Sequence, residues 1–244
     1  MPSWETMMAE QGGAASPIEN KLRILIADDD PAIGELVTAI LTDEGYDVTV
    51  VTTTDHDTIA GAVGKIEPDC VLLDSTEGPG FGGSWAEAAY LADRERPIPT
   101  VMFTGHSDAV LEARTGTSER AQRARFAAVL SKPFILDELL DTVAMAAGRS
   151  TPFDRSEAGE RTRSEELEAE LTGRGATDVR TSNRREWATF TSSADDRIYQ
   201  LYWWQKLGRY IVGRYDDEAR LEIIGQFFER VAAIDAALGT EAPA

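Results

Sequence analysis

Five short apolar runs punctuate the first 150 residues, and four of them stop at residues with chemistry to offer. Leu22 to Ala27 runs into Asp28, Asp29 and Asp30, and Cys70 to Leu73 runs into Asp74. Thr100 to Phe103 leads to Thr104, and Phe126 to Leu130 leads to Ser131 and Lys132. The fifth run, Asp47 to Val51, is β-branched. Between them lie helical patterns. Pro31 opens one through about Thr42, because proline suits a first helical turn, and Gly45 stops it. Asp55 to Lys65, Ser84 to Arg94 and Ile135 to Ala147 carry others. Strands alternating with helices predict an α/β domain: a five-stranded, parallel, doubly wound sheet with helices on both faces. In such sheets ligands bind beyond the carboxyl ends of the strands. Asp28, Asp29, Asp74, Thr104 and Lys132 are therefore expected at one edge.

Carboxylates that converge repel one another unless a cation sits among them. Hard oxygen ligands with open positions suit Mg²⁺, which takes one or two carboxylates plus phosphate oxygens and water. A carboxylate can also act as a nucleophile and form an acyl phosphate. Lysine brings a point charge to phosphoryl oxygens, and a hydroxyl can donate to them. The set points to phosphoryl transfer onto Asp74.

At these residues the chain resembles the response-regulator receiver domain of two-component signal transduction, over about Leu22 to Gly148. The motifs that carry the resemblance are Ile-Ala-Asp-Asp-Asp-Pro (26–31), Val-Leu-Leu-Asp (71–74), Val-Met-Phe-Thr-Gly (101–105) and Leu-Ser-Lys-Pro-Phe (130–134). The resemblance implies a flavodoxin-like sheet with Asp74 as phosphoacceptor. It implies Mg²⁺ held by Asp28, Asp29, Asp74 and the backbone carbonyl of Thr76. Thr104 would move onto the phosphoryl group, and Lys132 would pair with it. The donor would be a histidine kinase or phosphotransfer protein. Asp30 reads as a helix-capping surface residue, and His56 and His106 as surface residues. Three departures stand out. Gly78 occupies the position four after the acceptor, where the family usually has proline, within the glycine-rich stretch 77–83. Val129 stands three before the lysine, where an aromatic switch residue is common. The interval from Thr104 to Lys132 is long, with extra sequence around Ala113 to Arg125 that carries four arginines. With Val129 in place of an aromatic, the segment from Ser107 to Arg125 is expected to relay Thr104 movement.

The formal charge of −19 argues against a bulk polyanion binder, which needs clustered cations. Residues 1–150 carry 11 Lys/Arg against 25 Asp/Glu, and residues 151–244 carry 13 against 18. Cys70 is the only cysteine and rules out an intrachain disulfide. No run approaches the roughly 18 to 20 apolar residues that span a bilayer. Met1 to Asn20 lacks a basic residue ahead of an apolar run, so it does not read as a secretory signal. The expected location is cytoplasmic.

The organisation reads as a tail at 1–21, the receiver at 22–148, a linker at 149–161 and an α+β domain at 162–240. In that last unit a helix capped by Thr162 or Ser164 is expected to reach Leu171. Three β-rich runs follow, Glu186 to Thr191, Arg197 to Trp204 and Arg209 to Tyr215, with Asp178 to Thr181 as a flanking strand. Their short connections predict an antiparallel meander. A final helix is expected from Asp217 to Leu238, with Leu221, Ile224, Phe228, Val231 and Leu238 as its buried stripe. Alternation puts Tyr202 and Trp204 on one face of a strand, and Tyr199, Leu201 and Trp203 on the other. A sheet covered by helices on one side needs one apolar face only, so the second must also be covered or used. Core packing with dimer contact is the favoured reading of these aromatics. The expectation is a two-component response regulator in which Mg²⁺-dependent phosphorylation of Asp74 controls a C-terminal protein-interaction or dimerisation domain. A homodimer and a protein partner follow, with no enzymatic activity beyond receiver chemistry. The alternative is a transcriptional or RNA-binding regulator, since Arg184, Arg185, Arg197, Arg209 and Arg214 lie on or beside the strands.

Overall fold

The computed structural model describes residues 21–75, 83–148, 158–182, 184–204 and 207–239, with the side chains of 158–162 excepted. The expected tail (Lys21 apart), Thr76 and the glycine-rich stretch to Gly82 lie outside them, as does most of the expected linker.

The first unit contains β1 (Arg23–Ala27), β2 (Asp47–Val51), β3 (Cys70–Asp74), β4 (Thr100–Thr104) and β5 (Ala128–Ser131). They pair in parallel in the order β2-β1-β3-β4-β5. The chain leaves β1 for β2 on one side and returns to β3 on the other. The direction of winding therefore reverses between β1 and β3, and a crevice opens there at the carboxyl ends. β3 and β4 are buried along their whole length, as expected for central strands covered on both faces. Around them pack α1 (Pro31–Asp43), α2 (His56–Ile66), α3 (Gly83–Ala92), α4 (Ser107–Thr115), α5 (Glu119–Ala124) and α6 (Leu136–Ala146). Asp30 caps α1, accepting from Ala32 N–H at 2.9 Å and Ile33 N–H at 3.4 Å, and Pro31 fills the first turn.

The additional sequence before β5 forms α5. Gly116 closes α4 in the left-handed region (φ 62), and the Ser118 side chain caps α5 by accepting from Ala121 N–H at 3.1 Å. Two arginines of this segment find local partners. Arg120 bonds Glu112 and lies 4.6 Å over the Trp85 ring, and Arg125 pairs with Asp93.

The second unit is α7 (Ala158–Gly173), β6 (Ala176–Thr181), β7 (Trp187–Ser192), β8 (Ile198–Trp204), β9 (Arg209–Tyr215), β10 (Leu221–Phe227) and α8 (Arg230–Leu238). The strands form a five-stranded antiparallel meander in chain order. α7 begins within the stretch read as a linker, so neither Thr162 nor Ser164 caps it. The Ser164 hydroxyl instead donates to Thr181 Oγ1 at 2.6 Å.

The long final helix expected over 217–238 is replaced by a turn, β10 and the shorter α8. Leu221, Ile224, Phe228 and Val231 match a helical stripe in spacing, but the β-branched Ile223–Ile224 pair extends, and the register slips by a bulge before Gly225. The expected stripe accordingly breaks up. Leu221 and Leu238 are buried, whereas Phe228 is 69% exposed and Val231 47%.

The meander is covered on both faces. Ala188, Phe190, Tyr199, Leu201, Tyr210 and Val212 pack under α7 and α8 with Leu167, Leu171 and Ile234. The opposite face, with Trp187, Tyr202, Tyr215 and Leu221, joins the core made by α1, α6 and Phe134 of the first unit. The aromatics on the second face of β8 thus meet the chain's own receiver-like unit. Arg184 and Arg185 reinforce this junction. Arg184 reaches Asp141 on α6 at 2.6 Å, and Arg185 reaches Asp43 at 3.1 Å and Glu44 at 2.5 Å at the end of α1.

Candidate phosphorylation site

The crevice between β1 and β3 collects the chemistry. Asp28 follows β1, Asp74 ends β3, Thr104 ends β4, and Lys132 follows β5 by one residue. Lys132 Nζ donates to Asp28 Oδ2 and to Asp74 Oδ1, each at 2.8 Å, so one buried cation bridges two carboxylates from different strands. Asp28 Oδ1 accepts from Asp30 N–H at 2.9 Å. Asp28 is fully buried, Asp74 is 8% exposed, and Asp29 faces solvent.

Burial pushes the Asp28 carboxyl up to about 6, and the Asp74 charge adds to this against the pull of Lys132. Burial by itself would lower the Lys132 ammonium, but the two carboxylates outweigh it and hold the pKa above its ordinary value. Thr104 is fully buried. Its Oγ1 accepts from His106 N–H at 3.0 Å, and its carbonyl takes Lys132 N–H at 2.7 Å.

Carboxylate oxygens of Asp28, Asp29 and Asp74 can lie within 4.8 Å of one another. Lys132 and the Asp30 N–H occupy both oxygens of Asp28, and Lys132 takes one oxygen of Asp74. This all-oxygen acidic set, partly neutralised by one lysine, fits a small hard cation such as Mg²⁺. The arrangement brings together every described residue that the sequence nominated here, namely Asp28, Asp29, Asp74, Thr104 and Lys132. Thr76 lies outside the described residues.

Sequence reasoning missed what borders this edge from the second unit. Asp30, taken for a surface cap, is only partly exposed, and its second carboxylate oxygen accepts from Leu221 N–H at 2.6 Å. Tyr215 is buried nearby. Burial raises its phenol, the charges of Asp30 and Asp28 add to this, and its hydroxyl donates to Gln200 Oε1 at 2.7 Å. No local signal announced the Asp30–Leu221 bond, because it joins residues 191 positions apart.

A family model described as the response regulator receiver domain matches residues 24–144. Among curated relatives, the DNA-binding response regulator MtrA of Mycolicibacterium smegmatis is 36% identical over 88 residues, which is 36% of each chain. The nitrogen assimilation regulatory protein NtrX of Azorhizobium caulinodans is 33% identical over 121 residues, covering 48% of this chain and 24% of that one. The chain thus spans about a third or less of the length of these relatives. Among solved structures, the receiver domain of NtrX from Brucella abortus is 28% identical, with a TM-score of 0.44 over 52% of this chain and 99% of that one.

Proposed function

From the premise that the chain belongs, through residues 24–144, to the response-regulator receiver family, we propose that Asp74 accepts a phosphoryl group and that this controls the C-terminal α+β unit. The observation that carries the reading is the Lys132 ammonium held 2.8 Å from both Asp28 and Asp74. A buried lysine fixed between an acidic pocket and the acceptor is already in place to neutralise charge that arrives on phosphoryl oxygens.

Asp28, Asp29 and Asp74 would hold Mg²⁺, with the Thr76 carbonyl as a further oxygen ligand. The bound metal supplies charge neutralisation on the phosphoryl oxygens. The chain's own residues do the rest. Asp74 offers a carboxylate oxygen to phosphorus, and a P–O bond forms as the P–N bond of a phosphohistidine donor breaks. The imidazole leaves with the electron pair and takes up a proton. Lys132 keeps Asp74 oriented and stays ionised throughout. Thr104 turns its hydroxyl from the His106 amide toward the new phosphoryl oxygens.

The test is incubation of the full chain with Mg²⁺ and acetyl phosphate, followed by intact-mass and peptide mapping. A base-labile phosphoryl adduct is expected on Asp74. Asp74→Asn should abolish it, and Asp29→Ala should weaken it. Full labelling of Asp74→Asn would overturn the assignment.

A second reading, nucleic-acid contact by the C-terminal sheet, is favoured by the arginines beside its aromatic face. In the described arrangement Arg184 and Arg185 are engaged by acids of α1 and α6, and Arg214 by Glu222. For Arg184 and Arg185, that reading requires the sheet to leave the receiver first.

A further inference from the structure

The turn between β9 and β10 sits on the rim of the phosphorylation site. It is closed by its own groups: Asp216 Oδ1 accepts from Glu218 N–H at 3.0 Å and from Arg220 N–H at 2.8 Å. The Asp216 carbonyl takes Ala219 N–H at 3.0 Å. This geometry forces Ala219 into the left-handed region, at φ 58, where a residue with a side chain is strained. The strained residue is the one that meets the receiver. A methyl group added at Gly105 would overlap the Ala219 methyl, and the Glu218 carbonyl oxygen would lie 3.5 Å from it. Two residues further on, Leu221 N–H is spent on Asp30. Gly105 directly follows Thr104, and Asp30 lies two residues after Asp28.

We propose that the β9–β10 turn is a latch on the phosphorylation site, docked while Asp74 is unmodified and released when Asp74 carries a phosphoryl group. This rests on the reading of Asp74 as the acceptor. Two physical effects drive the release. A phosphoryl oxygen draws the Thr104 hydroxyl, as donor, toward Asp74, and Gly105, next in the chain, has little room to follow while the Ala219 methyl is seated against it. The turn also carries Asp216, Asp217 and Glu218 in succession, so added negative charge at Asp74 repels it. Linkage makes the effect reciprocal: whatever undocks the turn favours the phosphorylated state.

Hydrogen exchange on the full chain, with and without Mg²⁺ and beryllofluoride as phosphoryl mimic, tests the latch. The mimic is expected to speed exchange of residues 216–221 by about tenfold or more, with the Leu221 amide as the direct reporter, and Asp74→Asn should block the effect. Gly105→Ala and Ala219→Phe act from opposite sides of the contact. Each should release the turn without the mimic and raise the yield of acetyl phosphate labelling severalfold. Ala219→Gly, which accepts the left-handed backbone, should stay docked. If residues 104–107 become protected with the mimic while 216–221 exchange as before, the latch is overturned and Asp74 stands. If neither segment responds, the assignment of Asp74 falls, and the latch with it.

Discussion

Trp187 of the C-terminal sheet stacks on Phe134, two residues past Lys132, with ring centroids 5.9 Å apart and planes 30° from parallel. Tyr202 meets the same indole edge-on at 5.1 Å. One fully buried indole therefore joins the receiver core to the sheet. Truncating a buried tryptophan costs about 3–5 kcal/mol. Trp187→Ala should lower the stability of the whole chain by that order, read as a fall in the denaturant midpoint. Because the core is shared, the wild-type chain should unfold in a single transition by both far-UV circular dichroism and tryptophan fluorescence. Two transitions, with only the later residues responding to Trp187→Ala, would show that the units fold separately.

Arg185 bridges the end of α1 to the sheet, reaching Asp43 at 3.1 Å, Glu44 at 2.5 Å and the Tyr202 hydroxyl at 3.3 Å. The Asp43 side chain is only 7% exposed and also accepts from the Tyr202 hydroxyl at 3.5 Å, so removing the guanidinium takes the charged donor away from a desolvated carboxylate. Arg185→Ala should cost about 2 kcal/mol, on the order expected when a mostly buried acid loses a charged hydrogen-bond donor. Arg214→Ala serves as control. Its partner Glu222 is 66% exposed, so its loss should change stability by less than about 1 kcal/mol.

The parallel sheet and its polar edge were legible because the information is local. Strand runs end on the residues that the fold then places at one edge, and β3 and β4 need apolar side chains on both faces. The meander was legible for the same reason, from alternation and short connections. What local reading could not reach was set by distant partners. Ile223 and Ile224 satisfied a helical spacing, but pairing with β9 made them strand. Asp30 showed its capping role in the Asp-Pro pair, yet its bond to Leu221 depends on two units meeting. The need for a cover over the second face of β8 was visible in Tyr202 and Trp204. That α1 and α6 supply the cover was not.

Lys132 is the only cation the structure gives Asp28 and Asp74, among the described hydrogen bonds and ion pairs. Replacing it with methionine keeps the aliphatic length and removes the charge. Removing one preorganised charged donor typically costs about 10²–10³-fold in rate. Lys132→Met should therefore slow acetyl phosphate labelling of Asp74 by roughly 10²-fold while Mg²⁺ is still bound. Labelling at the wild-type rate would show that the ammonium orients the resting site without acting on the phosphoryl group.

His56 and Glu87 provide a pH dependence separate from this site. His56 Nδ1 lies 2.6 Å from Glu87 Oε2, and Tyr90 closes on the imidazole edge-on at 4.8 Å. The hydrogen bond to Glu87, and then its charge, hold the imidazolium above its ordinary 6.5. The stability this contributes is present in full below pH 6.5 and is lost as pH rises through the higher folded value. Glu87 works in the same direction. Burial raises its carboxyl above the ordinary 4.5, so ionising it costs stability as pH climbs from there. With the imidazole 56% exposed, the His56 part should stay within about 1 kcal/mol. Glu87→Gln keeps the shape and removes both contributions, so stability between pH 5 and pH 8 should be flatter in that variant than in the wild-type chain. Nuclear magnetic resonance titration of the His56 ring should give a pKa above 6.5 in the wild-type chain and a lower one in Glu87→Gln. An unchanged titration in the variant would mean that the pair does not form in solution.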